Sequence, residues 1–309
     1  MGRVIVVGSA NMDVIAGADR LPRDGETLRG RDLVIRPGGK GANQAIAARR
    51  LGADVALYAS VGRDEFGRRV RASLQREGVR LDRLREVDHA ATGMAMIVVT
   101  ADGENAIVVV TGANDALDAA SLGDLSASLR PDDVVLLQLE IPVPTCVAAA
   151  MAAHEAGATV ILNAAPQPDL DAPGMAELLR VTTVLVVNET EAAVLAGRSA
   201  DAGDWVSVAG ALRGYGAQAC IVTLGARGAA VHEQERGWMQ PSFSVTVADT
   251  TGAGDALCGA VAAGLADGLP LAEAVRRGCA AGALAAVQVG AQASLPTSDE
   301  LERFLERAD

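Results

Sequence analysis

Val134-Val135-Leu136-Leu137-Gln138-Leu139-Glu140-Ile141-Pro142 decides the fold. An apolar run of this length, closed by an acid and a proline, reads as a strand buried on both faces. Comparable runs recur at 3–7, 54–60, 158–162, 183–187 and 219–223. Helical patterns lie between them at 41–51, 65–77, 143–156, 189–196 and 204–214. Such alternation predicts an α/β protein, a parallel sheet wrapped by helices. The last third turns helical at 254–267, 271–288 and 298–308.

Two stretches break the alternation. Residues 11–36 carry alternating residues with turn signals at Pro22 and Asp24-Gly25. Residues 92–111 place Asp102-Gly103 between two β-rich arms, a hairpin signal. The two stretches either pair into a small separate sheet or extend the main sheet as edge strands.

Half of the 309 residues are hydrophobic, enough for one large core or two unequal lobes. A net charge of −12 argues against binding nucleic acid or an anionic membrane. With three Phe, two Trp and two Tyr, there is little from which to build a base-stacking platform. Cys146, Cys220, Cys258 and Cys279 lack metal or redox spacing and read as reduced core residues. No leader precedes the strand at Val4, and no apolar run reaches the roughly 18–20 residues of a membrane span, so the cytoplasm is expected. His89, His154 and His232 have no metal-ligand spacing.

The strongest chemical signal is Asp249-Thr250-Thr251-Gly252-Ala253-Gly254-Asp255-Ala256, followed by a small-residue helical run. Gly252, Ala253 and Gly254 would open that helix, where free amides and the helix dipole favour an anion. Asp255 would then face bound anionic oxygens, the position of a general base, or it is a simple helix cap. Gly38-Gly39-Lys40-Gly41-Ala42-Asn43 also opens a helix. Gly rather than Ser or Thr follows Lys40, so this is not a P-loop. Asn11, Asp13 and Glu140 follow strands, where open α/β sheets carry ligands, although turns use the same residue types. Asn188 and Glu191 begin a helix after the strand at 183–187, suiting either its dipole or water-held Mg²⁺. Thr223, Gly225 and Gly228 suit phosphate contacts or a hairpin turn. Gly290 to Ser294, with Asp249, offers carbonyls, a hydroxyl and one charge to a monovalent cation, or else a glycine helix stop.

Both glycine-rich segments, in order and about 210 residues apart, resemble the two signatures of the ribokinase family of sugar kinases. Asn188 to Glu191 resembles that family's Asn-x-x-Glu motif. Thr111-Gly112-Ala113-Asn114, Gln138-Leu139-Glu140, Asn163-Ala164-Ala165-Pro166 and Gly290-Ala291-Gln292 are most similar to its ribose-phosphorylating members. The resemblance implies a large domain of 1–10, 37–91 and 112–309. It also implies a small β lid of 11–36 and 92–111 that pairs between subunits as a homodimer.

The implied activity is ATP-dependent phosphorylation of D-ribose at O5. Asp255 would be the base, and Gly252, Ala253 and Gly254 the anion hole. Asn11, Asp13, Gly38, Gly39, Lys40, Asn43 and Glu140 are the implied sugar set. For the nucleotide they are Asn188, Thr223, Gly225, Gly228 and Gly254, with Glu191 linked to Mg²⁺. For K⁺ they are Asp249, Thr251, Ala285, Gln288, Gly290 and Ser294, several through carbonyls. Cys279 stands where the family often has a polar nucleotide contact and is not counted. Deoxyribose, fructose or adenosine are the rival substrates. A nucleoside is disfavoured because neither lid stretch holds Phe, Tyr or Trp. A dehydrogenase would need the GxGxxG that is missing after the first strand, and a non-catalytic sugar sensor would not need Asp255.

Overall fold

The computed structural model describes residues 2–102, 104–197 and 203–308. In chain order the strands are β1 (Arg3–Val7), β2 (Asn11–Gly17), β3 (Asp32–Gly38), β4 (Asp54–Gly62), β5 (Leu84–Val87), β6 (Gly93–Val99) and β7 (Asn105–Val110). They continue as β8 (Val134–Gln138), β9 (Thr159–Asn163), β10 (Val184–Asn188), β11 (Ala219–Thr223), β12 (Ala229–Glu233) and β13 (Arg236–Gln240). The helices begin with α1 (Lys40–Arg50), α2 (Glu65–Arg76), α3 (Leu125–Ser128), α4 (Val143–Glu155), α5 (Met175–Val181) and α6 (Glu189–Ala196). After them come α7 (Trp205–Leu212), α8 (Ala253–Ala266), α9 (Leu271–Ala285), α10 (Ala291–Ser294) and α11 (Ser298–Ala308).

Nine strands form the main sheet in the order β13-β12-β11-β10-β9-β8-β1-β4-β5. It is parallel from β5 to β11, while β12 and β13 pair antiparallel. The six apolar runs all become strands of this sheet. β5, β12 and β13 fall outside those runs because polar residues break them, and β5 and β13 expose part of their length.

Successive strand residues point to opposite faces, so each run feeds two cores. Val6, Leu136, Ile161 and Ile221 pack with Ile46 of α1, Val261 of α8 and Ala280 of α9. Val7, Leu137, Leu162 and Val222 pack with Ala149 of α4, Leu195 of α6 and Val208 of α7. Helix α8 lies tightly on α1 because Gly259 has no side chain. A Cβ there would come within 2.5 Å of the Ala47 Cβ and 2.8 Å of the Ala48 nitrogen.

The two odd stretches do form a sheet of their own, in the order β3-β2-β6-β7. β6 and β7 make the expected antiparallel hairpin. Asp102 lies in its turn, and Gly103 lies outside the described residues. The helical run expected at 271–288 is shorter. It stops at Ala285, and the separate short helix α10 follows.

From β1 the chain builds toward β4 on one side, then returns to β8 on the other. The order reverses between β1 and β8, and crevices at such points take ligands. Ser9, Glu140, Asn163, Asn188 and Thr223 all stand at this carboxyl rim.

Candidate active site

Gly252 takes the left-handed region at φ 83° and opens the fourteen-residue helix α8. The N–H of Ala253 donates to the Thr250 carbonyl at 3.1 Å. Those of Gly252 and Gly254 have no partner among the described residues. Free amides at the positive end of a helix make an anion site.

Asp255 lies in the first turn of α8 and is buried. Its Oδ2 accepts from Asn43 Nδ2 and its Oδ1 from Gln44 Nε2, each at 2.9 Å. The two glycine signatures therefore meet through side chains. Lys40, at the start of α1, lines a cavity of about 210 Å³ with Asp255, Asn188, Glu191, Thr223, Gly252 and Gly254. Burial pulls the Lys40 ammonium down, but Asp255, Glu140 and Glu191 more than offset this and hold it above the ordinary lysine value. Lys40 therefore stays charged beside the free amides.

Asn188 and Glu191 form a capping box. The Asn188 side chain accepts from the Glu191 N–H at 2.8 Å, and Glu191 Oε2 accepts from the Asn188 N–H at 2.8 Å. Burial pushes the Glu191 carboxyl up, against the donors of Asn188 and the charge of Lys40. Both the capping role and a place at the cavity hold for these residues. Thr223 likewise ends β11 at a hairpin turn and still lines the cavity. With Thr250 and Gly254 it also lines a second cavity of about 440 Å³. Gly225 and Gly228 border that larger space, as do Phe243, Val245, Cys279 and Gly282.

On the side of the small sheet, Asn11 pairs with Gly38 and Asp13 with Arg36 between β2 and β3. Gly39 has φ 91°, and a Cβ there would come 2.7 Å from the Asn11 nitrogen. A Cβ on Gly38 would collide with the Asp13 carboxyl. Glycine at both positions lets the loop close onto β2. Glu140 Oε2 accepts from Ser9 Oγ at 2.5 Å and from the Lys40 N–H at 3.1 Å. Burial is the main cause that pushes Asp13 up to about 6; Arg36 opposes it, while Glu140 and Asp255 add to it. Asn11 and Asp13 do not line the 210 Å³ cavity, though their strand stands within electrostatic reach of Asp255.

Asp249 Oδ1 accepts from the Thr251 N–H at 2.9 Å and its hydroxyl at 2.6 Å, and Oδ2 from the Gly290 N–H at 2.9 Å. The Gln288 N–H donates to the Ala285 carbonyl at 3.3 Å. Ser294 Oγ donates to the Ala291 carbonyl at 3.0 Å. Burial raises the Asp249 carboxyl, but Thr251, Gly290 and the Arg36 charge leave it below the usual carboxylate value. Among the described residues, no three or more His, Cys, Asp or Glu gather to hold a metal. A divalent cation here would keep its waters and ride on ligand oxygens rather than sit in a protein cage.

Residues outside the expected set complete the site. Gln44, Gln138, Asn163 and Gln292 join Asp255 and Asn43 in one hydrogen-bonded chain. Asn114 Nδ2 donates to Asn11 Oδ1 at 2.6 Å, and its Oδ1 accepts from the Ala10 N–H at 3.0 Å. The small residues Cys279, Gly282, Ala283 and Ala286 line the larger cavity from α9 and its C-terminal end. The family resemblance marks the position of Cys279, and small residues at helical spacing are the signal for the rest of that wall.

Residues 1–298 match the pfkB family of carbohydrate kinases. The chain belongs to that family. As a carbohydrate kinase it is a phosphotransferase acting on a sugar hydroxyl, as the two signatures implied. It is 37% identical over 304 residues to the ribokinase of Haemophilus influenzae, covering 98% of each chain. Against the deoxyribokinase of Salmonella typhi it is 31% identical over 303 residues, again covering 98% of each. The ribokinase of Arabidopsis thaliana, solved with ribose and ATP, matches at a TM-score of 0.88 and 32% identity, with 99% of each chain covered. No helix among the described residues of this carbohydrate kinase is long and apolar enough to cross a membrane.

Proposed function

We propose that this carbohydrate kinase transfers the terminal phosphoryl group of ATP to the 5-hydroxyl of D-ribose. The observation that carries the reading is that Asp255 and Lys40 line the same cavity as the free amides of Gly252 and Gly254. In that arrangement Asp255 takes the hydroxyl proton as the oxygen bonds to the γ-phosphorus, and ADP leaves. Charge on the transferring group falls on Lys40 and the amides at Gly252, Ala253 and Gly254. The Ala253 N–H must first release Thr250. Asn11, Asp13, Gly38, Gly39, Lys40, Asn43 and Glu140 hold the sugar hydroxyls.

The 440 Å³ cavity suits the adenosine end, with Thr223, Gly225 and Gly228 along it and Asn188 and Gly254 toward the phosphates. Glu191 would hold Mg²⁺ through water, and that ion neutralises phosphate charge when bound. Asp249, Thr251, Gly290 and Ser294, with carbonyls of Ala285 and Gln288, are the proposed potassium site. The small sheet, which runs past the expected bound of 11–36 because β3 continues to Gly38, serves as the lid that excludes water. Its exposed Ile107, Val108, Val109 and Val110 suit pairing with a second copy as a homodimer. Four free cysteines fit the reducing cytoplasm.

The test is a panel of ribose, deoxyribose, fructose and adenosine with ATP and Mg²⁺, run in potassium and again in sodium. Ribose should give the highest kcat/KM, a 5-phosphate product and faster turnover in potassium. A clear preference for deoxyribose would replace the ribose assignment, and turnover of no sugar would overturn the whole reading.

A further inference from the structure

We propose that Gln44, itself oriented by Gln138, is a positioning residue that holds the Asp255 carboxylate in one rotation. The inference rests on the reading above, in which Asp255 is the base. Gln44 and Gln138 are fully buried. Gln44 Nε2 donates to Asp255 Oδ1 at 2.9 Å and to Asn163 Oδ1 at 3.0 Å, which uses both of its hydrogens. Gln44 Oε1 accepts from Gln138 Nε2 at 2.7 Å. Asn163 is fixed in turn by its Nδ2, which donates to the Val186 carbonyl at 3.3 Å.

The chain has a direction, and the carboxylate sets it. An ionised carboxylate only accepts, so Gln44 must present its NH₂ group to Asp255. Its carbonyl then faces Gln138, which must present NH₂ as well. The last acceptor, Gln138 Oε1, is left buried without a partner. It lies against Gly8, where a Cβ would collide with it. An orphaned buried carbonyl is costly. Turning the Gln138 amide would place oxygen against oxygen at Gln44, so the cost persists as long as Asp255 is charged. The strands β8 and β9 and the helices α1 and α8 are thereby tied to one oxygen of the base. Lys40 on α1, Cys258 on α8, Asp13 on β2, Glu140 after β8 and Glu191 on α6 are the other titratable groups that feel this carboxylate or the Lys40 charge beside it.

The test follows the Asp255 carboxyl resonance by ¹³C NMR at fixed pH, with Asp255→Asn assigning it, beside steady-state kinetics. Gln44→Met removes the donor at similar length and should move that resonance. Turnover should fall about ten-fold at unchanged ribose KM. Gln138→Met keeps Gln44 but releases its carbonyl, and should shift both readouts the same way by a smaller amount. It keeps the test open if Gln44→Met fails to fold. An unmoved Asp255 resonance in folded variants would overturn the proposal, even if their Tm fell. A moved resonance in an enzyme that phosphorylates no sugar would uphold the positioning of Asp255 and overturn the kinase reading alone.

Discussion

Strands β10 and β7 are nearly the same in composition and opposite in fate. Val-Leu-Val-Val-Asn in β10 is buried at its first four positions, whereas Asn-Ala-Ile-Val-Val-Val in β7 is exposed at all six. Helices cover both faces of the main sheet, so its rim is a rigid place from which to present Asp255, Asn188 and Thr223. In the small sheet Met12 and Ile35 pack with the core, whereas Leu33, Ile107, Val108, Val109 and Val110 stay exposed. Such surface suits the proposed roles of the small sheet, a cover for the sugar site and a contact for a second copy.

Asp255→Asn breaks the rigid side most sharply. Turnover should fall by about 10²–10⁴-fold with sugar KM nearly unchanged, and a variant keeping more than about a tenth of turnover would remove the base assignment. Leu162→Ala, at a fully buried position of β9, should cost about 2–5 kcal/mol in denaturant unfolding. Ile107→Ala in the exposed strand should cost less than about 1 kcal/mol. Equal costs would erase the contrast between the sheets.

Asp13 probes the joint between the two regions. Its folded value near 6 lies above the ordinary 3.8, so the native state holds a proton that the unfolded chain has already released. Stability should therefore drop as pH climbs from about 4 through 6, by up to roughly 3 kcal/mol, and level off above that. Sugar affinity should rise over the same interval, because the ionised carboxylate is the better hydroxyl acceptor. Urea midpoints and sugar titrations at several pH values would test both trends, and Asp13→Asn should flatten them. Val109→Lys is the mildest change. It should leave the fold intact and weaken self-association at least about ten-fold by sedimentation, and unchanged association would place the dimer contact elsewhere.

The fold was legible because six of the nine main-sheet strands are local apolar runs buried on both faces. The hairpin of β6 and β7 was legible from its turn residues. Gly252, Asp255 and Lys40 could be picked out because glycine and charge at a helix start are rare enough to notice. The chain through Gln44, Gln138 and Gln292 was not. Gln44 finds Gln138 across 94 positions and Asp255 across 211, and Gln292 finds Asn43 across 249. Such amides look like flaws in an apolar pattern until the fold closes. β5 and β13 escaped for a related reason, since neighbours rather than their own periodicity hold them.

A missing methyl group governs how far Asp255 stands from the segment that carries Lys40. Gly259 sits one helical turn beyond Asp255 and touches the backbone of the helix that carries Lys40, Asn43 and Gln44. Any side chain there would act as a spacer and lift the two signature segments apart together. The place of Asp255 in its cavity is thus set at a position that does not line the cavity, and under the proposed mechanism chemistry and architecture cannot be altered separately along that seam.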